Sequence, residues 1–380
     1  MCCLIYKFLL ILTQKMQISF LKILPENALK FVSKKMRICV KNFAQLQSLK
    51  YFYENAPQYA IVAAESLLGV ALHQGTSFPV GKVDFLDLYP LNFREFLCAM
   101  GEKQFVSMLD SCDTQMVTVF KTKYIERLRE YYFVGGMPEV VKDFSEKKDY
   151  NRVRAIQKNL INYYQQDFSK HAEIKLVPRL NLVWNSIPMQ LAKENKKYIY
   201  GQVREGSRAK DFELAIQWLL DCGLIHKVQR IQKPDLPLKA YIDFDAFKLF
   251  LVDIGLLIAM TDLDAKVIIE GNKIFTEFKG ALTEQYILQQ LISDVGVIPY
   301  YYSTQNSKGE IDFLVQGKTS VIPIEVKAEE NLKAKSLKAF CEKYQPSYAV
   351  RTSMSDYREQ DWMTNIPLYA VKWIKNYVNQ

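Results

Sequence analysis

A mixed α/β chain of more than one domain is predicted, on three observations. The chain has 380 residues, enough for two or three separate cores. Its middle is dominated by helical periodicity, and its last hundred residues alternate helix and strand patterns. Half of the residues are apolar and a quarter charged (49% and 24%), the balance of an ordinary globular protein.

The charge is unevenly spread. The net charge is +9, yet residues 1–50 hold nine Lys/Arg against the single acid Glu26. The remaining residues are close to neutral, so the body of the chain carries no nucleic-acid footprint by charge alone. The seven cysteines are scattered without a C-x-x-C pair, and His73, His171 and His226 have no metal-ligand spacing. Neither a disulfide framework nor a zinc site is expected, and a reducing, cytoplasmic setting is. MCCLIYKFLLIL is too short to span a bilayer, and AFKLFLVDIGLLIAM is interrupted by Lys248 and Asp253, so no membrane span is expected.

From Ser48 the pattern becomes regular. SLKYFYENAP reads as a helix stopped by Pro57, YAIVAA (59–64) and KVDFLDL (82–88) as strands, and NFREFLCAM as the start of a helical stretch to about Tyr132. VGGMPEVV (134–141) punctuates the chain. SRAKDFELAIQWLLDCG (207–223) reads as a helix with Ser207 as cap, an apolar face at Phe212, Ala215, Ile216 and Leu219, and Gly223 as stop. GLIHKVQRI and LKAYIDF read as a hairpin around QKPDLP, which together with the helix makes a winged-helix-like unit. Next come a helix at FTEFKGALTEQYILQQLI, strands at VIPYYYS, EIDFLV and SVIPIEVKA, a helix at NLKAKSLKAFCEKY, and strands at SYAVR and PLYAV.

The chemistry concentrates in GEIDFLVQGKTSVIPIEVKA (309–328). GKTS resembles the end of a phosphate-binding loop, but the glycine required five residues before Gly317 is Asp312. In GTSFPVGKV (75–83) the glycines are six apart and Val83 stands where a hydroxyl is needed. GKTS is therefore predicted to be the turn of a hairpin. Strict alternation puts Ile311, Phe313 and Val315 on one face and Glu310 and Asp312 on the other; in the next strand Glu325 and Lys327 oppose Ile322, Ile324 and Val326. Paired as a hairpin, the strands bring Asp312, Glu325 and Lys327 onto one open surface. Two carboxylates suit Mg2+, and the amine suits a water nucleophile or developing charge. Glu284, on the preceding helix, is a candidate further ligand. The alternative is that these acids and the lysine are simply solvated.

The constellation Glu284, Asp312, Glu325 and Lys327 resembles the PD-(D/E)XK, or restriction-endonuclease-like, superfamily, although Ile311 stands where the motif has proline. SLKYFYENAP, IVAAESLLG, FPVGKVDFLDLYPLNFREFL, VGGMPEVV, SRAKDFELAIQWLLDCGLI and EIDFLV with VIPIEVKA are similar, in order, to prokaryotic AAA-type ATPases carrying a C-terminal domain of unknown function. The resemblance implies a partial P-loop/AAA-type α/β remnant over 46–140, a helical, winged-helix-like domain over 141–265, and a nuclease-like α/β domain over 266–380. It implies Mg2+ at Asp312 and Glu325, catalysis by Asp312, Glu325, Lys327 and Glu284, DNA as partner, and assembly with a second copy or a partner subunit. Residues 1–45 do not match: Walker A and Walker B are missing there, as in a truncated member, so ATP, though bound by the family, is not expected to bind this chain. Two rival readings remain: the family's ATP hydrolysis, and a non-catalytic module that binds nucleic acid or protein.

Overall fold

A computed structural model describes residues 7–8, 54–55, 64–65, 86–193, 196–270, 276–304, 309–329 and 334–380. The expectations placed on most of SLKYFYENAP, most of YAIVAA and residues 82–85 lie outside them. The chain divides into two compact units, one of Met1–Tyr89 with Glu213–Ile225 and one of Pro90–Phe212 with His226–Gln380.

In the first unit, β1 (Lys7–Phe8), β2 (Ala64–Glu65) and β3 (Leu86–Asp87) pair antiparallel in the order β2-β1-β3.

The second unit begins with helices where one long helical stretch was expected. These are α1 (Phe93–Ala99), α2 (Lys103–Asp110), α3 (Thr114–Val119) and α4 (Lys121–Val134). The breaks have local causes. Gly101 and Cys112 take positive φ (83° and 54°), and Asp113 caps α3 by accepting from the Met116 amide. Asn92 and Glu95 form a reciprocal capping box that starts α1. Next come α5 (Pro138–Lys147), α6 (Tyr150–His171), α7 (Val177–Leu191) and α8 (Tyr200–Val203). Helix α9 (Ala209–Asp221), which from Glu213 on belongs to the first unit, ends as expected at Gly223, whose φ is 69°.

The remaining elements build one mixed sheet. They are β4 (Ile225–Ile231), β5 (Ile242–Leu251), α10 (Ile254–Met260), α11 (Ala265–Ile269), α12 (Thr276–Gln290, running into a π-turn at Leu291–Val295), β6 (Tyr300–Ser303), β7 (Glu310–Gln316), β8 (Val321–Val326), α13 (Lys335–Tyr344), β9 (Val350–Ser353), β10 (Arg358–Gln360), β11 (Met363–Pro367) and α14 (Ile374–Val378). The eight strands run β10-β11-β9-β8-β7-β6-β4-β5. The hairpin read as part of a winged unit, β4 and β5, thus forms one edge of the sheet that also carries β7 and β8. PLYAV is not a strand. Pro367 ends β11, and Leu368–Trp373 coil into a 3-10 turn, because proline cannot donate to the ladder that would have to continue.

One face of the sheet buries Leu337 and Phe340 of α13 against Ile311, Leu314, Tyr302 and Met363. Each of those two side chains contributes about 2 kcal/mol by leaving water. The GKTS segment is the expected turn: Gln316 pairs with Val321, and the Gly317 amide donates to the Ser320 carbonyl at 2.9 Å.

Candidate functional site

Helix α12 buries polar as well as apolar side chains, and its buried amides hold backbone. Gln285 accepts from the Leu251 amide (3.0 Å) and donates to the Leu251 carbonyl (2.6 Å). Gln289 accepts from the Ile254 amide (3.1 Å) and donates to Asp253 Oδ2 (3.2 Å), and Gln290 accepts from the Phe93 amide (2.8 Å). A buried amide with both ends satisfied is a strong orienting group, since an unmade bond there costs ~1–3 kcal/mol. These contacts set the helix that carries Glu284, itself buried.

Glu284 meets two lysines. Lys196 donates to Oε1, and Lys248, fully buried on β5, lies 3.6 Å from Oε2. The Lys248 ammonium also pairs with Glu310 and sits 4.8 Å from the centre of the Tyr301 ring. Although burial opposes its charge, the neighbouring carboxylates, Glu284 first and then Glu310, push the Lys248 ammonium well above its ordinary value. Removing the ammonium would leave Glu284 with Lys196 alone and Glu310 without its lysine, a loss of the order of 3–5 kcal/mol.

Asp312 joins this cluster through a break in alternation. Across β6 and β7, Tyr302 pairs with Ile311 and Tyr300 with Leu314, so Asp312 and Phe313 together oppose Tyr301. That is a β-bulge, which bends the strand and re-aims a side chain. Asp312 Oδ2 accepts from the Val326 amide at 2.7 Å. Burial, with Glu284 close by, pushes the Asp312 carboxyl up to about 8. Glu284 moves the other way: burial would raise it, but Lys196 and Lys248 outweigh that and hold it below its ordinary value. The pair therefore keeps its charge on Glu284 and its proton on Asp312.

Glu325 and Lys327 form a second group. Lys327 Nζ lies 2.7 Å from Glu325 Oε1, and Glu325 pairs in register with Arg351 on β9. Glu325 Oε2 and Glu284 Oε2 are buried without a hydrogen-bond partner.

The four residues singled out from the sequence are thus brought into one neighbourhood but not into one trio on an open surface. Asp312 goes with Glu284, Glu325 goes with Lys327, and the Val326 amide links the two pairs. The open-surface expectation fails because the bulge overrides period-2 alternation and because β8 is buried along its whole length. Among the described residues, no group of three or more His, Cys, Asp or Glu side chains is placed to hold a metal ion. Asp312 and Glu325, the residues expected to share Mg2+, lie in separate pairs: Asp312 Oδ2 accepts from the Val326 amide and Glu325 Oε1 pairs with Lys327. Lys248, Lys196 and Glu310 escaped the sequence reading as site residues. Their available signal was Lys248 itself, a lysine inside the apolar run AFKLFLV, since a strand buried on both faces tolerates an ammonium only beside acids.

Residues 40–97 match the family model of an AAA domain, residues 125–267 a domain of unknown function (DUF8612), and residues 279–371 another domain of unknown function (DUF4143). These matches support an AAA-type family protein. No curated protein and no solved structure matches. Of the AAA match, the described residues are 54–55, 64–65 and 86–97. Lys196 and Lys248 fall within the first domain of unknown function, and all their acidic partners within the second. Among the described residues, no helix is long and apolar enough to cross a membrane.

Proposed function

We propose that the C-terminal sheet of this AAA-related chain is a nuclease-like module that holds DNA without cutting it in the conformation described. The observation that carries this reading is the Lys248 ammonium seated among Glu284, Glu310 and Asp312. It supplies the positive charge that a divalent ion would bring to a cleavage site. Helix α13 offers the contact surface. Lys335, Lys338 and Lys343 are exposed on it against Glu342, a basic face suited to a phosphate backbone.

The reading is tested with the full chain and supercoiled plasmid in Mg2+ or Mn2+, alongside duplex binding by fluorescence anisotropy. Binding that weakens with salt and in Lys335→Ala/Lys338→Ala, with no cleavage, is the expected result. Cleavage that disappears in Asp312→Ala and in Lys327→Ala, both still folded, would overturn it.

That outcome would favour a second reading, metal-dependent phosphodiester hydrolysis, which the buried and unpartnered Oε2 atoms of Glu284 and Glu325 support. In it Lys327, a third exposed by side chain, faces the attacking water. The AAA match supports an ATPase-related ancestry, and no ATP binding by this chain is proposed.

A further inference from the structure

We propose that a cavity of about 510 Å3 at the β10 edge of the sheet binds the trimethylammonium group of a small organic cation. The cavity lies at the opposite end of the strand order from β5, which carries Lys248, so the proposal stands apart from the DNA reading.

Two local periodicities build the cavity. Tyr357, just before β10, and Glu359, within it, are two apart and line the same space, as alternate residues of an extended strand do. Thr364 of β11, which pairs in register with Glu359, lines it too. Trp373 and Tyr377 are four apart across the start of α14 and fall on one helix face. Tyr348, from the connection between α13 and β9, completes a set of four aromatic residues. Their rings stand edge to face in two pairs: Tyr357 on Trp373, with centres 5.6 Å apart and planes at 75°, and Tyr348 on Tyr377, at 5.5 Å and 62°. Rings at such angles offer π faces in several directions, which suits a rounded, methylated cation, whereas a flat base needs parallel rings.

Two of the four rings are anchored by their polar ends. Trp373, only 3% exposed, donates its indole N–H to the Leu109 carbonyl at 2.7 Å, and the Tyr357 hydroxyl donates to the Glu359 carboxylate. These walls are set before a ligand arrives, so little ordering opposes binding. Charge selects the sign of the ligand. Glu359 carries the one charged side chain among the described residues lining the cavity, and its partner is the Tyr357 hydroxyl, not a lysine or an arginine. A phosphate there would be repelled by the carboxylate. A quaternary ammonium is attracted by carboxylate and rings alike, and it needs no hydrogen-bond acceptor, unlike a primary ammonium with its N–H donors.

The test titrates the full chain with choline and with its uncharged tert-butyl isostere, in which carbon replaces nitrogen, followed by saturation-transfer NMR. Choline should bind saturably and about tenfold or more tighter than the isostere, the difference that charge makes against π faces and a carboxylate. Tyr377→Leu should weaken choline about tenfold, and Tyr377→Phe should leave it within about twofold, since the ring and not the hydroxyl is the contact. Glu359→Gln, at an exposed strand position, should weaken choline and narrow its advantage over the isostere. Phosphatidylcholine vesicles, cosedimented with the protein, separate the two sources of the group. Vesicle binding that is lost in Glu359→Gln assigns a lipid headgroup, and binding of free choline alone assigns a soluble ligand; either supports the proposal. An absence of saturable choline binding up to about 10 mM overturns it. So does an isostere that binds as tightly as choline, adenosine binding where choline does not, or choline affinity unchanged in folded Tyr377→Leu. Should Tyr377→Leu fail to fold, unchanged choline affinity in Glu359→Gln refutes the proposal in its place.

Discussion

Asp253 offers a stability measurement with a definite sign. Its fully buried carboxylate caps α10 through the Leu256 amide (3.1 Å) and accepts from the Gly136 amide (2.6 Å) and from Gln289 Nε2 (3.2 Å). Burial nevertheless outweighs these bonds and pushes the carboxyl from 3.8 up to about 6. Because the folded value is raised, the folded state binds more protons than the unfolded one between those limits. The stability it contributes is fully present below pH 3.8 and is lost as pH rises through about 6. At ~1.4 kcal/mol per unit, and counting only the part of the titration between pH 4.5 and 7.5, the loss is about 2 kcal/mol. Asp253→Asn keeps the volume and removes the titration. Other raised carboxyls, such as Glu95 at about 7, remain in both proteins and cancel. Urea unfolding of both proteins at pH 4.5 and 7.5 should show the wild-type advantage shrinking by about 2 kcal/mol at the higher pH. Parallel pH dependence, equal within ~0.5 kcal/mol, would refute the reasoning.

Other outcomes follow from neighbouring residues. Gly135 has φ 72° and ψ −167°, and a Cβ there would lie 2.2 Å from Asp253 Oδ1, so Gly135→Ala should cost about 2–4 kcal/mol in denaturant unfolding. Gln285→Ala leaves both backbone groups of Leu251 unmatched and should lower stability by about 2–4 kcal/mol; an effect under ~0.5 kcal/mol in calorimetry would contradict the role given to that amide. Isothermal titration of the full chain with ATP and Mg2+ should show no saturable heat.

Much of the sheet was legible because its strands carry plain signals. EIDFLV and VIPIEV are β-rich runs flanking a turn, and their pairing followed from that alone. The bulge at Asp312 was not legible, since it depends on Tyr301 in a strand whose register no local pattern specifies. The hairpin β4–β5 was legible as a hairpin but not as an edge of the later sheet, because strand order is decided by burial across distant segments. Of the candidate site, Glu284, Asp312, Glu325 and Lys327 were found by residue type and spacing. Lys248 was visible only as an interruption in an apolar run. Its partners are separated from it by up to 64 residues of sequence, and no periodicity connects them. PLYAV misled because apolar character alone does not separate a strand from a short helical turn.

The glutamines of α12 have one more consequence. Apolar side chains tolerate a helix sliding along its axis by fractions of a turn, since one methyl group replaces another with little loss. Gln285, Gln289 and Gln290 instead grip single amides at Leu251, Ile254 and Phe93, at three heights along the helix. They act as index pins: a shift of one residue, ~1.5 Å of rise with a 100° turn, would release all three at once. Glu284 is thereby located along the axis to a small fraction of that step, by groups that never touch the charges around it.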